Sequence, residues 1–157
     1  MRPTAGNGRG ILDTSLYMVL ATANAEGRPW STPVYFAHLG CREFFWVSSP
    51  EAAHSRNITV RSEVGIAIFD SSVPIGGGQG VFMAAVAGLV EGEGVERGLE
   101  VFSRRSLRHG GRVWTVDDVQ GDSGIRLYRA VAEEHSMLAK DGKPDHRVPV
   151  RLVEPSP

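Results

Sequence analysis

A group of polar residues stands where an aromatic run gives way to a helix-forming segment. Ser48 and Ser49 follow the run Phe-Phe-Trp-Val at 44–47, and His54 and Arg56 come shortly after them. Hydroxyls, the free N–H groups at a helix start and a guanidinium are the donors that hold a phosphate in proteins. The spacing therefore predicts an anion site at this junction, suited to the phosphate of a ligand.

The same residues allow a second interpretation. Serines followed by Pro50 and Glu51 are typical of a helix N-terminus, so both hydroxyls could serve as helix caps while Arg56 points into water. The residues at 30–35 and 45–49 would in either case supply apolar and aromatic walls for a flat ring system. Both interpretations stay open from the residues alone.

Other kinds of reactive site have weak support. The five histidines and one cysteine never fall at metal-ligand spacing, so we expect no metal site. His135 and His146 are the one pair that could approach, across the last hairpin. Cys41 lies beside a turn with no base nearby in sequence, which is typical of an inert thiol. The residues single out no catalytic group.

Two further segments carry a partial signal for ligand binding. The glycine-rich residues 76–80 lack the Lys-Ser/Thr pair that completes a phosphate loop, which favours a flexible connection. The basic residues between Arg104 and Arg112 follow an acidic stretch, as is common where cations complement the C-terminal end of a helix dipole. Anion binding is the alternative interpretation of that cluster.

The elements that must position these residues are mostly strands. Apolar runs rich in Val, Ile, Phe and Tyr alternate with Gly and Pro. Predicted strands cover residues 16–23, 29–39, 43–47, 64–69, 80–92, 125–137 and 147–153. Helices are predicted over about 50–61 and, from amphipathic spacing, over 94–108. Pro33 lacks the N–H that a sheet ladder needs, so it predicts an edge strand or a bulge.

Their order predicts a mainly β (α+β) fold. The first three strands are joined by short turns and are expected to form an antiparallel meander. Two more strands, a helix and a closing hairpin follow, which indicates a small antiparallel barrel with helices at its ends. We expect a flexible leader over residues 1–10, one domain over 11–153 and a disordered tail over 154–157.

Length and composition narrow the class of protein. The chain has 157 residues, the size of one domain, and its 17 basic and 18 acidic residues leave a formal charge of −1. That balance excludes a general nucleic-acid binder. No apolar run approaches the ~18 residues of a membrane span, and no signal peptide is visible. A single cysteine requires no oxidising compartment, so we expect a cytoplasmic protein without nucleic-acid or membrane partners.

The segment from Leu20 to Phe36 resembles the opening hairpin of the pyridoxamine 5′-phosphate oxidase-like proteins, the FMN-binding split barrels. It reads Leu-Ala-Thr-Ala, three residues, then Gly-Arg-Pro-Trp-Ser-Thr-Pro-Val-Tyr-Phe. The aromatic strand, the two hydroxyls and the His-Ser-Arg-Asn-Ile segment at 54–58 follow in the family's order. The resemblance spans about residues 11–153, and the order of the motifs is more specific than any one of them.

The resemblance implies a split antiparallel β-barrel with short flanking helices, and FMN in a groove between the two subunits of a homodimer. It implies cofactor contacts for ten residues of this sequence. These are Ser31, Thr32, Pro33, Val34, Ser48, Ser49, His54, Arg56, Asn57 and Gln79. His54 stands where the family usually has Lys, so the charge of this phosphate ligand depends on pH.

The function implied is that of an FMN-dependent oxidoreductase acting on a small molecule, in which the flavin carries the hydride chemistry. The His54 departure leaves a deazaflavin-dependent reductase of the same fold as an alternative. A non-catalytic flavin-binding or sensor protein is the other alternative. The substrate-binding residues of the true pyridoxamine phosphate oxidases find no match, since His135 and Ser136 stand where an aromatic-led segment is expected.

Overall fold

The computed structural model describes residues 2–153 as a sheet of eight strands flanked by helices. The strands are β1 (Tyr17–Ala23), β2 (Pro29–Tyr35), β3 (Ala37–Leu39), β4 (Glu43–Ser48), β5 (Glu63–Phe69), β6 (Gly80–Leu89), β7 (Arg126–Leu138) and β8 (Arg147–Pro149). The helices are α1 (Ala5–Thr14), α2 (Ala53–Val60), α3 (Gly94–Arg108) and the 3-10 helix Val116–Val119. Within the described residues, no helix has the length and apolar character that crossing a membrane requires.

The two end strands of the sheet are consecutive in the sequence, which makes the sheet curl into a barrel. Its strands pair antiparallel in the order β2-β1-β5-β6-β7-β4-β3, and β8 pairs with β7. The two strands at the ends of this order, β2 and β3, are separated in sequence only by Phe36. The sheet therefore curls until its ends meet there, which confirms the mainly β, split antiparallel barrel with short flanking helices.

The predicted three-strand meander is wrong. Residues 29–39 form two strands instead of one, because the chain bends at Phe36, whose side chain is fully buried. β2 pairs with β1 and β3 pairs with β4, so β2 and β4 are not neighbours in the sheet. Pro33 lies on β2 at one end of the strand order, where its missing N–H costs no ladder bond to a neighbour on its outer side.

The barrel interior holds one apolar cluster, and α3 covers a second. Alternating residues of β1, β5 and β6 point inward and are buried, as period-two spacing requires. Trp46 of β4 is buried among them and stacks on Tyr128 with ring centroids 5.8 Å apart. On the outside, Phe45 and Leu127 face α3 and pack with Leu99. The apolar face predicted for helix 94–108 thus lies on the sheet.

Most of the predicted flexible leader, residues 1–10, belongs to an N-terminal helix. Residues 5–14 form α1, which begins after the Thr4 cap, whose Oγ1 accepts from the Asn7 N–H. Gly8 is buried, and a Cβ there would lie 2.7 Å from Leu152 Cδ2. The glycine thus permits close packing and does not loosen the segment. The tail predicted over 154–157 lies outside the described residues.

Candidate functional site

A cleft of about 390 Å³ lies between β2, the end of β4, and helices α2 and α3. Small-molecule sites in proteins have volumes of roughly 300–1,000 Å³. Five of the residues identified from sequence line this cleft. They are Thr32, Pro33 and Val34 of β2, Ser48 of β4 and His54 of α2.

Ser48 and His54 form the polar corner of the cleft. A hydrogen bond of 2.8 Å joins Ser48 Oγ to His54 Nε2. The His54 side chain is buried, and burial lowers the pKa of the imidazole below its ordinary value of 6.5. At neutral pH this corner therefore offers a hydroxyl and an uncharged imidazole, where a lysine would offer a fixed positive charge.

Neither Ser48 nor Ser49 caps the N-terminus of α2. The helix begins at Ala53 after Ala52, which makes no side-chain capping bond. Ser49 Oγ instead accepts from the Glu51 N–H at 3.1 Å, within the turn that precedes the helix. The interpretation of the two serines as helix caps is therefore wrong, and Ser48 is left to the cleft.

Arg56 and Ser31 lie outside the cleft lining. Arg56 is exposed and stands two residues after His54, a spacing that places the two side chains on different faces of α2. Ser31 is exposed on β2, where it points away from the side to which Thr32 points. No lysine or arginine is among the residues that line the cleft. The single chain therefore does not bring Arg56 together with the Ser48–His54 pair.

Asn57 and Gln79 make structural hydrogen bonds elsewhere. Asn57 Nδ2 donates to Thr22 Oγ1 at 3.0 Å and so ties α2 to β1. Gln79 Nε2 donates to the Leu138 carbonyl, and its Oε1 accepts from the Leu138 N–H, each at 2.9 Å. The Gln79 side chain thus bridges the start of β6 and the end of β7, away from the cleft residues of this chain.

Three aromatic residues form the wall of the cleft. Tyr35 and Phe102 meet edge to face with centroids 5.6 Å apart, and Phe102 and Trp114 do so at 5.7 Å. The amphipathic spacing predicts Phe102 on the apolar face of helix 94–108, and the sequence predicts no element over residues 114–120. Trp46, which the sequence pattern favoured as a wall, lies inside the barrel. Only the packing of α3 and the segment after it onto β2 reveals the actual wall.

Two members of the basic cluster on α3 have partners within the protein, and one of them joins α3 to α1. Arg105 is buried and donates to the carbonyl oxygens of Leu12, at 2.9 Å, and Ser15, which fastens α3 to the end of α1. Arg104 pairs with Glu100 on the exposed side of the helix, at 3.0 Å. Arg104 and Arg105 therefore already have partners within the protein and need no bound anion to explain their presence.

Cys41 and His135 are buried within the fold, away from the cleft. Burial raises the pKa of the Cys41 thiol, which disfavours the thiolate at neutral pH. His135 is buried, and its Nε2 donates to the Cys41 carbonyl at 2.6 Å. Within residues 2–153, no group of three or more His, Cys, Asp or Glu side chains is placed to hold a metal ion.

Comparisons with known proteins give the same fold. A family model described as pyridoxamine 5′-phosphate oxidase matches residues 7–150. Among solved structures, HutZ, the heme storage protein from Vibrio cholerae, aligns with a TM-score of 0.66 and 22% identity over 83% of this chain and 90% of that one. An F420 reductase aligns with a TM-score of 0.61 and 17% identity over 82% of this chain and 95% of that one.

A heme binding protein from Mycobacterium smegmatis aligns with a TM-score of 0.71 and 20% identity; the alignment covers 95% of this chain and 59% of that one. A search of curated proteins found no match. At these identities the solved structures show a shared fold and nothing about the ligand. Because the family match covers most of the sequence, the chain belongs to the pyridoxamine 5′-phosphate oxidase-like family of split barrels.

Proposed function

We propose that the chain binds FMN in the cleft and acts as an oxidoreductase on a small molecule. The observation that carries the proposal is the meeting of the Ser48–His54 pair with an aromatic wall in one cleft. A flavin combines a flat ring with a polar arm, so it needs both kinds of surface. When bound, the flavin would supply the hydride chemistry.

The residues present fit the ring better than the phosphate. Val34, Tyr35 and Phe102 offer apolar and aromatic surface for a planar ring, while Thr32 and Ser48 offer hydroxyls. Their role would be to orient the ring and to keep water from it. The lining has no fixed positive charge, so an FMN phosphate would need a cation from outside these residues. Ser31, Ser49, Arg56, Asn57 and Gln79 stay predictions as cofactor contacts.

A homodimer is part of the proposal, because a second copy could complete the open cleft. The outer face of β1, β5 and β6 presents partly exposed apolar residues in adjacent register. They are Val19, Ala21, Gly65, Ala67, Phe82 and Ala84. An apolar face of this kind favours the packing of another sheet, and β2, which lines the cleft, borders it through β1. Light scattering should give twice the chain mass of 17.0 kDa, and a single-chain mass would contradict the dimer.

The alternatives concern the ligand and not the fold. A deazaflavin has support from the F420 reductase among the structural neighbours and from the uncharged His54, which replaces a fixed cation. Two neighbours carry heme in their names. The one imidazole in the cleft lining is that of His54, whose Nε2 already bonds Ser48, and this favours a flavin. A cytoplasmic location belongs to the same proposal, since the lone Cys41 is buried and free.

Titration of the purified protein with FMN, followed by flavin fluorescence, tests the proposal. Ser48→Ala should weaken FMN binding about tenfold by removing a hydroxyl from the polar corner. Ser72→Ala, in the exposed loop after β5, should leave binding unchanged and serves as the matched control. Absence of quenching up to ~50 µM FMN would contradict the proposal.

The same preparation separates the alternatives. Its visible spectrum distinguishes flavin, deazaflavin and heme. Reduction of a bound flavin by a nicotinamide donor, with oxygen consumption on reoxidation, would indicate an enzyme. A bound flavin that no donor reduces would indicate the non-catalytic carrier or sensor.

A further inference from the structure

Trp114 lines two cavities. One is the cleft, and the other is a mainly apolar pocket of about 290 Å³ between α3 and residues 113–116. A residue in this position is part of the wall that a ligand in the cleft would meet. Its truncation would remove part of that wall.

The backbone of Trp114 is fixed by α3. The Trp114 N–H donates to Ser103 Oγ at 2.8 Å, and the Ser103 hydroxyl donates to the Trp114 carbonyl at 3.3 Å. Ser103 is itself buried. One side chain thus binds both polar groups of the Trp114 backbone, so the backbone from which the indole projects is fixed before any ligand binds.

The indole ring is also supported from its surroundings. The Arg112 guanidinium lies 4.0 Å from the ring centroid, and Phe102 meets the ring edge to face. Arg112 is held in turn by Asp118, at 3.0 Å, and Asp118 also accepts from the Thr115 N–H at 2.7 Å. Rigid aromatic groups of this kind bind ligands at little entropic cost.

We propose that Trp114 contacts the planar ring of the ligand in the cleft and determines how tightly that ring is held. This rests on the proposed function, in which the ligand is a flavin. The contact is to the ring and not to the phosphate arm, because the indole belongs to the aromatic wall with Tyr35 and Phe102, whereas the polar corner is formed by Ser48 and His54. A contact to the ring contributes equally to the affinity of every ligand that carries this ring.

Two flavins and two substitutions test the contact. Trp114→Ala should weaken FMN and riboflavin by the same factor, about tenfold, because both carry the same ring. The ratio of the two dissociation constants should stay as in the wild type. A general loss of structure would not preserve that ratio together with the circular dichroism spectrum. Trp114→Phe keeps an aromatic ring and should stay within about threefold of the wild type.

Val113→Ala is the matched control. Val113 is an exposed neighbour that lines the second pocket and not the cleft, so its truncation should leave both affinities unchanged. Wild-type affinity of Trp114→Ala for both flavins would overturn the inference, as would a loss for FMN alone. If neither flavin binds the wild type, the proposed function and the ring contact are both contradicted. If the wild type binds both flavins and Trp114→Ala binds them equally well, only the ring contact is contradicted.

Discussion

Two buried serines differ in whether their hydroxyls have partners. Ser55 of α2 is 1% exposed, and its Oγ has no hydrogen-bond partner among the described residues. Ser103 of α3 is 7% exposed, and its hydroxyl both accepts from and donates to the Trp114 backbone. Two buried serines therefore affect stability in opposite ways, because a buried hydroxyl is favourable only when it is hydrogen-bonded.

The corresponding alanine variants should change stability in different directions. Ser55→Ala removes an unpartnered polar atom and should raise the free energy of unfolding by up to about 1 kcal/mol. Ser103→Ala leaves two Trp114 backbone groups without their partner and should lower it by about 1–2 kcal/mol. Urea unfolding of both variants measures the difference. Equal losses in the two would contradict this account of the hydroxyls.

At the scale of elements, α3 approaches the sheet at a glycine. A Cβ on Gly98 would lie 2.8 Å from Leu127 Cδ2 and 3.0 Å from Phe45 Cε1. Both neighbours are almost fully buried, so neither can move aside without cost. Gly98 thus sets the distance between α3 and strands β4 and β7. Since α3 also contributes Phe102 to the cleft, this distance controls the wall of the candidate site.

Adding one methyl group at Gly98 should be destabilising in spite of helix propensity. Gly98→Ala is expected to cost about 1–2 kcal/mol, because overpacking exceeds the gain from alanine in a helix. Gly10→Ala is the matched control, since Gly10 is helical and exposed with nothing within 4 Å of the added Cβ. It should gain about 0.5–1 kcal/mol. Urea unfolding measures both, and a stabilising Gly98→Ala would show that α3 can shift.

At the scale of the whole molecule, two buried histidines and the partly buried His38 link the fold to pH. Burial is the main cause that lowers the pKa values of His38, His54 and His135 below 6.5. His38 Nδ1 accepts from the Cys41 N–H, a bond that requires an unprotonated nitrogen. In the unfolded chain these imidazoles have the ordinary histidine pKa. As pH falls below that pKa, the unfolded state therefore binds more protons than the folded state.

The free energy of unfolding should therefore decrease as pH drops from about 6.5 towards the pKa values of the folded state. Well above pH ~6.5 these histidines should contribute no pH dependence. The urea midpoint at about pH 5.5 should be lower than at about pH 7.5. His135→Gln should reduce that difference. His146→Gln should retain it, because His146 is exposed in the turn before β8. A midpoint that does not change between the two pH values would contradict the prediction.

The sequence by itself determined most elements and their order, because these depend on local periodicity. Spacing of apolar residues predicted a helix over 94–108, and the structure has α3 at Gly94–Arg108. Alternation predicted the strand at 64–69, and Pro33 predicted an edge. The order of motifs was sufficient for the family. For the site, Thr32, Pro33, Val34, Ser48 and His54 were named in advance and do line one cleft.

Tertiary structure alone decided which side chains meet, because that depends on contacts between residues distant in sequence. The bend at Phe36, which sends β2 and β3 to opposite ends of the strand order, has no local signal. The sequence predicts a flexible leader over residues 1–10, whereas Gly8 packs closely against Leu152, which is distant in sequence. Trp46 and Trp114 are the same residue type, yet closure of the barrel buries the first and the docking of α3 places the second in the cleft.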